Sequence, residues 1–247
     1  MISKAKLKWV KSLQLKKYRQ EEQCFVVEGS KSVMELLRSN FEIELIAGTD
    51  TGLALLTNEI EKRKPDYFSA SERELEAMGS FQTNESVLAV AKMKNCTVPI
   101  PSPTQFMVAL DDIRDPGNLG TIIRTADWFG IHTIVASPQT ADFYNPKVIS
   151  ASMGSFCRVD LVYTDLTSFL LDSKVPVYGA FLSGQNIHQL RFGQGGILVI
   201  GNESNGISSD IEKLIHQRIS IPGFGQAESL NAAVAAGIVL DNIFRSK

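Results

Sequence analysis

Short apolar runs alternate along the chain with segments whose apolar residues recur at helical spacing. A run of about four to eight apolar residues is typical of a buried strand, and apolar residues every three or four positions are typical of an amphipathic helix. In the first part of the chain this pattern predicts strands at 24–29, 43–48, 67–68 and 86–93 and helices at 1–19, 32–40, 51–64 and 71–79. The alternation indicates a small α/β unit.

Three helix starts are predicted from a serine that stands three residues before a glutamate. The pairs are Ser32 with Glu35, Ser71 with Glu74, and Ser209 with Glu212. In a capping box the serine and glutamate side chains each accept a hydrogen bond from a free backbone N–H at the first turn of the helix. We therefore expect a capped helix at each pair.

A proline-rich stretch separates two parts of the chain. The sequence NCTVPIPSPT, residues 95–104, has three prolines within five residues. Proline resists both a helix interior and a central strand, so such a stretch is typical of a linker. We predict a first domain over 1–94, a linker over 95–105 and a second domain over 106–247.

The second part again alternates strand and helix patterns. It predicts strands at 106–113, 133–137, 158–163, 175–182, 197–200 and 219–224 and helices at 119–130, 145–154, 164–172, from 209 and from 229. Strands that alternate with helices indicate a parallel, doubly wound sheet. Such sheets bind ligands at the carboxyl ends of their strands.

Polar side chains cluster where these predicted strands end or helices begin. The clusters are Asn118 with Arg124, Asn202 with Glu203, and Ser229 with Asn231. Arg124 lies off the apolar stripe of its helix and could reach a phosphate there, or it could simply lie on a solvated helix face. Glu203 could orient a hydroxyl or be a helix N-terminal acid, and Ser229 could be an N-cap. Ordinary strand–helix turns would explain the glycines of GNESNG equally well.

Composition places the chain among ordinary globular proteins. Of its 247 residues 44% are hydrophobic and 21% charged, and the three cysteines are far apart and odd in number. Neither a disulfide framework nor a zinc site is indicated, so a reducing cytosol is the default and we expect a cytoplasmic protein. No run of about 18 apolar residues indicates a membrane span. The basic start lacks the apolar region of a secretory signal.

Charge is uneven along the chain despite a formal net charge of −2. Residues 1–19 hold seven lysines and arginines and no acid. Such a segment attracts polyanions, nucleic acid included, although the solvated face of a helix has the same composition.

Several common enzyme motifs are absent from the sequence. It has no GxGxxG after a first strand, no GxxxxGK[ST], and no GxSxG, HExxH or CxxC. These absences exclude a P-loop NTPase and argue against a dinucleotide-dependent oxidoreductase, which the doubly wound pattern alone would allow.

Three long segments resemble, in order and spacing, the motifs of the SpoU/TrmH family of RNA ribose 2′-O-methyltransferases, members of the SPOUT or α/β-knot class. They are DPGNLGTIIRTADWFGI, ILVIGNESNGIS and ISIPGFGQAESLNAAVAAGIVL. In the first domain, FVVEGSKSVMELL resembles the family's small substrate-binding domain. Ser204 departs from the family pattern, which usually has glycine there, and we expect a modest loop adjustment.

The resemblance implies an α/β protein in which a C-terminal parallel-sheet α/β-knot domain, with a deep trefoil knot, follows a small α/β RNA-binding domain. It implies S-adenosyl-L-methionine as cofactor, no metal, a homodimer formed through the C-terminal domain, and RNA as substrate, ribosomal RNA more than transfer RNA. Its implied catalytic residues are Arg124, Asn118, Glu203, Ser229 and Asn231. Its implied cofactor pocket, lined mainly by backbone, includes Ala180, Leu182, Gly201, Ile221 and Leu230.

Three questions stay open at this stage. The chain could be a transfer RNA 2′-O-methyltransferase, or an RNA-binding protein of the same fold without turnover. Arg124 could activate the ribose hydroxyl or grip a phosphate, and we favour the second because arginine is protonated in proteins. The small residues Ala232, Ala233, Ala235, Ala236 and Gly237 could pack against a partner chain or inside the monomer.

Overall fold

Two β-sheets organise the chain, of which the computed structural model describes residues 3–80 and 86–245. One unit consists of Met1–Asn95 together with Asp142–Arg158, and the other of Cys96–Ala141 together with Val159–Lys247. Each sheet belongs to one unit.

The first unit contains a mixed four-stranded sheet in the order β1-β4-β2-β3. Its strands are β1 (Cys24–Glu28), β2 (Ile43–Gly48), β3 (Tyr67–Ser69) and β4 (Val87–Lys92). Its helices are α1 (Lys4–Ser12), α2 (Lys16–Glu22), α3 (Ser30–Arg38), α4 (Asp50–Ala54), α5 (Thr57–Arg63), α6 (Glu72–Met78) and α8 (Pro146–Ser152). The central strand β4 is antiparallel to both of its neighbours.

Side-chain alternation along β1 supplies the two faces of this sheet. Cys24 and Val26 point into a cluster with residues of α1 and α6. Phe25 points the other way, and its ring centroid lies 5.4 Å from that of Phe41 and 4.5 Å from that of Tyr144. Tyr144 belongs to the 142–158 segment, which therefore completes the core of the first unit.

The basic N-terminal segment forms two helices rather than the single helix predicted over 1–19. Leu13 is buried between α1 and α2. Arg19 stabilises this turn, because its Nη1 donates to the carbonyl oxygens of Leu13 at 2.9 Å and Gln14 at 2.8 Å. The predicted helix over 51–64 is likewise interrupted, between α4 and α5, where Leu56 turns inward and is buried.

One of the three predicted capping boxes is present. The Oγ of Ser71 accepts from the backbone N of Glu74, and the Glu74 carboxylate accepts from the backbone N of Ser71 at 2.8 Å. The box at Ser32 is wrong, because α3 begins at Ser30 after Gly29 and Ser32 lies inside it. The box at Ser209 is also wrong, because the N-cap of the short helix there is Ser208, whose side chain makes no capping hydrogen bond.

The second unit contains a six-stranded sheet whose pairings are all parallel, in the order β10-β8-β9-β5-β6-β7. Its strands are β5 (Phe106–Asp111), β6 (Thr133–Ala136), β7 (Asp160–Tyr163), β8 (Val177–Asn186), β9 (Gly196–Gly201) and β10 (Gln217–Ser220). Its helices are α7 (Pro116–Trp128), α9 (Leu166–Leu171), α10 (Ser209–Glu212) and α11 (Ala232–Phe244). The predicted strand over 219–224 ends early, since Pro222 has no N–H to donate.

The predicted architecture is confirmed: a parallel α/β sheet follows a small α/β unit. Buried apolar runs fill both faces of the central strands β5 and β9, as a parallel sheet covered by helices requires. The strand ends are therefore where this unit can carry polar chemistry.

Candidate active site

The two central strands of the parallel sheet end side by side. Asp111, the last residue of β5, lies opposite Gly201, the last residue of β9. The buried Asp111 carboxylate accepts a hydrogen bond from the backbone N of Ser208 at 2.7 Å. The side-chain amide of Asn202 donates to the carbonyl oxygen of Asp112 at 2.8 Å. These bonds join the loops that follow the two strands.

Asn202 also folds the loop after β9. Its Oδ1 accepts from the backbone N of Ser204 at 2.9 Å and of Asn205 at 3.1 Å. Gly201 is required here, because a Cβ at that position would lie 2.3 Å from the carbonyl carbon of Gly206. Ser204, by contrast, has no positive φ, so the loop does not need glycine at that position.

A chain of three side chains joins the loop after β9 to the starts of α7 and α11. The Nδ2 of Asn118 donates to Oε1 of Glu203, and the Nδ2 of Asn231 donates to Oδ1 of Asn118 at 2.8 Å. The Oδ1 of Asn231 also caps α11 by accepting from the backbone N of Ala233 at 2.9 Å. Three residues that are 113 positions apart at the extremes therefore hold one another in fixed orientations.

Helix α7 places Asn118 and Arg124 differently. Asp115 is its N-cap and accepts from the backbone N of Asn118 at 2.8 Å, and Pro116 fits the first helical position. The predicted apolar stripe of Leu119, Ile122, Ile123 and Ala126 is buried, as expected. Arg124 lies on the exposed side and makes no hydrogen bond or ion pair with any residue in 3–80 or 86–245.

Beside this chain of side chains lies a cleft of about 740 Å³ at the carboxyl ends of β8, β9 and β10. All the residues predicted to bind the cofactor line it, namely Ala180, Leu182, Gly201, Ile221 and Leu230. Of the residues predicted to be catalytic, Glu203 and Ser229 line it, whereas Asn118, Arg124 and Asn231 lie outside the lining. Ser229 does not cap α11, since Asn231 does so.

The charged side chains around the cleft are mostly acidic. Glu203, Glu212 and Glu228 line it, and Arg218 is the one cation among the described residues that do. Outside the cleft, Arg114 donates through Nε to Asp112 at 2.8 Å, which raises the pKa of Arg114. Asp112 adopts a φ of 60°, uncommon for a residue other than glycine.

Sequence reasoning missed several residues of this region. Asn202 was noted as part of a polar cluster without a role, although its side chain folds the loop that carries Glu203. Asp115 before Pro116 is a recognisable N-cap signal. Arg218 directly precedes the strand predicted over 219–224, and the observed strand β10 includes it.

Within residues 3–80 and 86–245, no group of three or more histidine, cysteine, aspartate or glutamate side chains could hold a metal ion. Likewise, no helix in that range has the length and apolar character to cross a membrane.

Comparison with known proteins assigns both parts of the chain to known families. The model of the SpoU rRNA methylase family matches residues 105–241, and that of the MRM3-like substrate-binding domain matches residues 4–89. A 23S rRNA (guanosine(2553)-2′-O)-methyltransferase from Bacillus subtilis is 31% identical over 239 residues, 95% of this chain and 94% of that protein.

Solved structures of similar proteins agree with this assignment. A protein of the TrmH family from Porphyromonas gingivalis is 34% identical with a TM-score of 0.87, and the alignment covers 100% of both chains. An AdoMet-bound rRNA methyltransferase from Sinorhizobium meliloti is 26% identical with a TM-score of 0.89, covering 100% of this chain and 96% of that one.

Proposed function

This chain belongs to the SpoU rRNA methylase family, as its sequence motifs predicted, and from that premise we propose that it transfers a methyl group to a ribose 2′-hydroxyl of ribosomal RNA. The observation that carries the proposal is the hydrogen-bonded chain of Glu203, Asn118 and Asn231 at the rim of the cleft. It fixes three polar groups beside a cavity of cofactor size. A binding module without turnover has no need of such fixed groups.

The lining of the cleft fits S-adenosyl-L-methionine. Its volume of about 740 Å³ lies in the range of cofactor sites, and strand-end backbone with apolar side chains can enclose an adenosine. The carboxylates of Glu203, Glu212 and Glu228 suit a ligand that carries a sulfonium and an ammonium group. When bound, the cofactor supplies an electrophilic methyl group, and the residues that would hold it are Ala180, Leu182, Gly201, Ile221 and Leu230.

In this proposal the described side chains act by orientation and charge. Asn118 and Asn231 keep the Glu203 carboxylate in place, and positioning of this kind can supply a large part of the rate of a displacement reaction. Ser229, exposed on the cleft lining, contacts the nucleotide. Arg124 grips the phosphate next to the target ribose and stabilises the oxyanion that forms as the hydroxyl loses its proton. Its guanidinium is available for this because no described residue occupies it.

We also propose that two chains form a homodimer through one face of α7 and α11. These helices lie side by side in the same direction. Asn231 binds Asn118 at their starts, and the rings of Phe244 and Phe129 stack at 5.4 Å at their ends. Trp128 is 84% exposed, and Leu230 and Val234 of the α11 start are 45% and 50% exposed. Large apolar side chains exposed on two neighbouring helices are typical of an interface.

The small residues of α11 serve the monomer in part. Ala232, Ala233 and Ala236 are buried within the unit, and Gly237 faces Thr125 of α7, whose methyl group would lie 3.9 Å from a Cβ at that position. The remaining exposed stripe of α11, which includes Val234, is what we assign to the partner. The replacement Val234→Glu should yield a monomer in light scattering, whereas an unchanged dimer would refute this interface.

We propose that residues 1–94 form the RNA substrate-binding domain and residues 106–247 the methyltransferase domain, and that the protein acts in the cytosol. Support for the first assignment is the match to a substrate-binding domain model. A second support is the exposure of Lys4, Lys8, Lys11, Lys16 and Lys17 on α1 and α2. An exposed row of cations attracts the RNA backbone.

The decisive experiment supplies methyl-labelled cofactor to ribosomal RNA from cells that lack the protein, with transfer RNA from the same cells as control. A 2′-O-methyl group removes the nucleophile of alkaline RNA cleavage, so the methylated position appears as one bond resistant to alkali. We expect a single such position in ribosomal RNA. Label in transfer RNA alone would favour the alternative substrate. Label in a nucleotide whose adjacent bond is still cleaved by alkali would mean base methylation, and bound RNA without label would indicate a non-catalytic protein.

A further inference from the structure

Arg218 stands out because the other charged side chains that line the cleft are acidic. Three carboxylates line the cleft, and within the described parts of the chain the guanidinium of Arg218 is the sole cationic group among its lining residues. A cation binds the carboxylate of a zwitterionic ligand through charge-assisted hydrogen bonds, as acids bind its positive groups. Within the lining, Arg218 is the residue with that charge.

Two contacts hold the guanidinium in place. Its central carbon lies 3.8 Å from the ring centroid of Phe181, a cation–π distance. That ring is itself fixed, because it packs where Gly179 has no side chain: a Cβ at Gly179 would lie 2.7 Å from a ring carbon of Phe181. The Nη1 of Arg218 donates to Oε1 of Glu212.

These contacts leave part of the guanidinium free. Arginine carries five N–H donors in a planar fork, and here only Nη1 has a partner among the described residues. The Nε and Nη2 groups remain on a side chain that is 44% exposed and lines the cleft. A paired donor set of this shape matches a carboxylate.

We propose that Arg218 binds the α-carboxylate of the cofactor's amino-acid tail and thereby sets the preference of the cleft for ligands that carry it. The inference rests on the proposed function, since it takes the cleft to be the S-adenosylmethionine site. In this role Arg218 is a specificity residue for the ligand tail. It is distinct from the groups of the Glu203–Asn118–Asn231 chain, which orient the reacting end.

The test compares two ligands that differ in the tail. S-adenosylhomocysteine carries the amino-acid carboxylate, whereas methylthioadenosine keeps the adenosine and the sulfur but has no amino-acid tail. Calorimetric dissociation constants for both are measured with the full-length wild type and with Arg218→Met, which keeps the aliphatic stem over Phe181. Arg218→Lys retains the charge but loses the fork.

We expect Arg218→Met to raise the dissociation constant of S-adenosylhomocysteine by about tenfold or more. The dissociation constant of methylthioadenosine should change by less than about twofold. Arg218→Lys should fall between wild type and Arg218→Met for S-adenosylhomocysteine. The matched control is Lys213→Met, which removes a cation of the α10 region that is paired with Asp210 at 2.8 Å and does not line the cleft. It should change neither constant.

Every other outcome has a defined meaning. An equal loss of affinity for both ligands in Arg218→Met would show that Arg218 only supports the shape of the cleft. No loss of affinity for either ligand would show that Arg218 does not contact the tail. Either result would overturn the inference. If wild type binds neither ligand, the cofactor assignment of the proposed function fails instead. Retained binding of methylthioadenosine by the variants shows that they are folded.

Discussion

Arg19 and Arg124 look alike in the sequence, but Arg19 is buried and Arg124 is exposed. Arg19, in the first unit, is 2% exposed, and its Nε and Nη2 both donate to Asp142, at 3.2 and 2.5 Å, while its Nη1 donates to two carbonyl oxygens. Arg124, in the second unit, is exposed and has no hydrogen bond or ion pair within the described residues. The guanidinium of Arg19 binds within the fold, whereas that of Arg124 is available to bind a ligand.

The difference corrects one part of the sequence interpretation. Arg19 counts among the seven cations of the basic N-terminal segment, yet its charge is buried and paired and cannot attract RNA. The exposed lysines of α1 and α2 remain as candidates. The availability of donors, rather than the presence of a charged residue, separates a structural cation from one that can act on a ligand.

The largest effect should follow from removing the buried cation. Arg19→Met leaves the Asp142 carboxylate, which is 13% exposed, without its partner and two carbonyl oxygens without donors. Breaking a buried ion pair from one side costs about 3 kcal/mol or more, so the first unit should unfold at a much lower urea concentration. Trp9 reports on this unit when Trp128, the only other tryptophan, is replaced by phenylalanine.

A double replacement tests the cause of that loss. In Arg19→Met with Asp142→Asn, the unpaired carboxylate is gone, so part of the lost stability should return. If Arg19→Met alone leaves the urea midpoint of Trp9 fluorescence unchanged, the ion pair of Arg19 with Asp142 contributes nothing to stability. Arg19 would then have no structural role to set it apart from Arg124.

Removing the exposed arginine should leave the fold intact and lower the rate of methyl transfer. Arg124→Ala should bind the cofactor normally and lose methyl transfer by about a hundredfold or more, as expected when a transition-state charge stabiliser is removed. The measurement is single-turnover methyl transfer at saturating RNA and cofactor. Arg124→Lys should recover part of the rate if a point charge suffices and little if a two-pronged phosphate contact is needed.

Thr121→Ala is the matched control on the same exposed side of α7, because Thr121 donates only to the carbonyl oxygen of Gly117. Its rate should stay near that of the wild type. A near-normal rate in Arg124→Ala would make Arg124 an ordinary surface residue, and the proposed catalytic role would be refuted.

The lysines of α1 offer a smaller test of available cations. Lys8→Gln with Lys11→Gln removes two exposed charges that have no partner among the described residues. If both contact phosphates, the slope of log affinity against log salt should fall by about two, with cofactor binding unchanged. Lys62→Gln is the control, since Lys62 already pairs with Glu59 at 3.3 Å. An unchanged slope in the double variant would place the RNA elsewhere.

Local sequence predicted most of the strands and the buried stripe of α7, because these depend on the spacing of apolar residues. It could not show that Asn118, Glu203 and Asn231 touch, since their contacts depend on how three distant strand–helix turns meet at one sheet edge. Nor does the helix and strand pattern indicate that 142–158 packs in the core of the first unit, because Tyr144 reaches Phe25 across more than a hundred residues of sequence. Local sequence could not predict the burial of Arg19 either, because its partner Asp142 is also distant in the sequence.

The smallest expected effect separates two serines of identical local pattern. Ser71 and Ser209 each precede a glutamate by three residues, but only Ser71 caps a helix, and the Glu212 that follows Ser209 pairs with Arg218. Ser71→Ala should therefore lower the unfolding free energy of the first unit by about 1 kcal/mol, while Ser209→Ala should change that of the second by less than about 0.5 kcal/mol.

The pH dependence of the Ser71 effect follows from its partner. Hydrogen bonds from the backbone N–H and hydroxyl of Ser71 hold the pKa of Glu74 below its usual value. A lowered pKa in the folded state means that this stabilisation is complete above the unfolded pKa, near about 4.3, and is lost as the pH falls through the folded pKa. Urea unfolding of the wild type and Ser71→Ala at pH 7 and in mild acid measures this. We expect the difference in unfolding free energy between them to narrow in acid, and a difference that stays the same would show that the carboxylate does not take part in the cap.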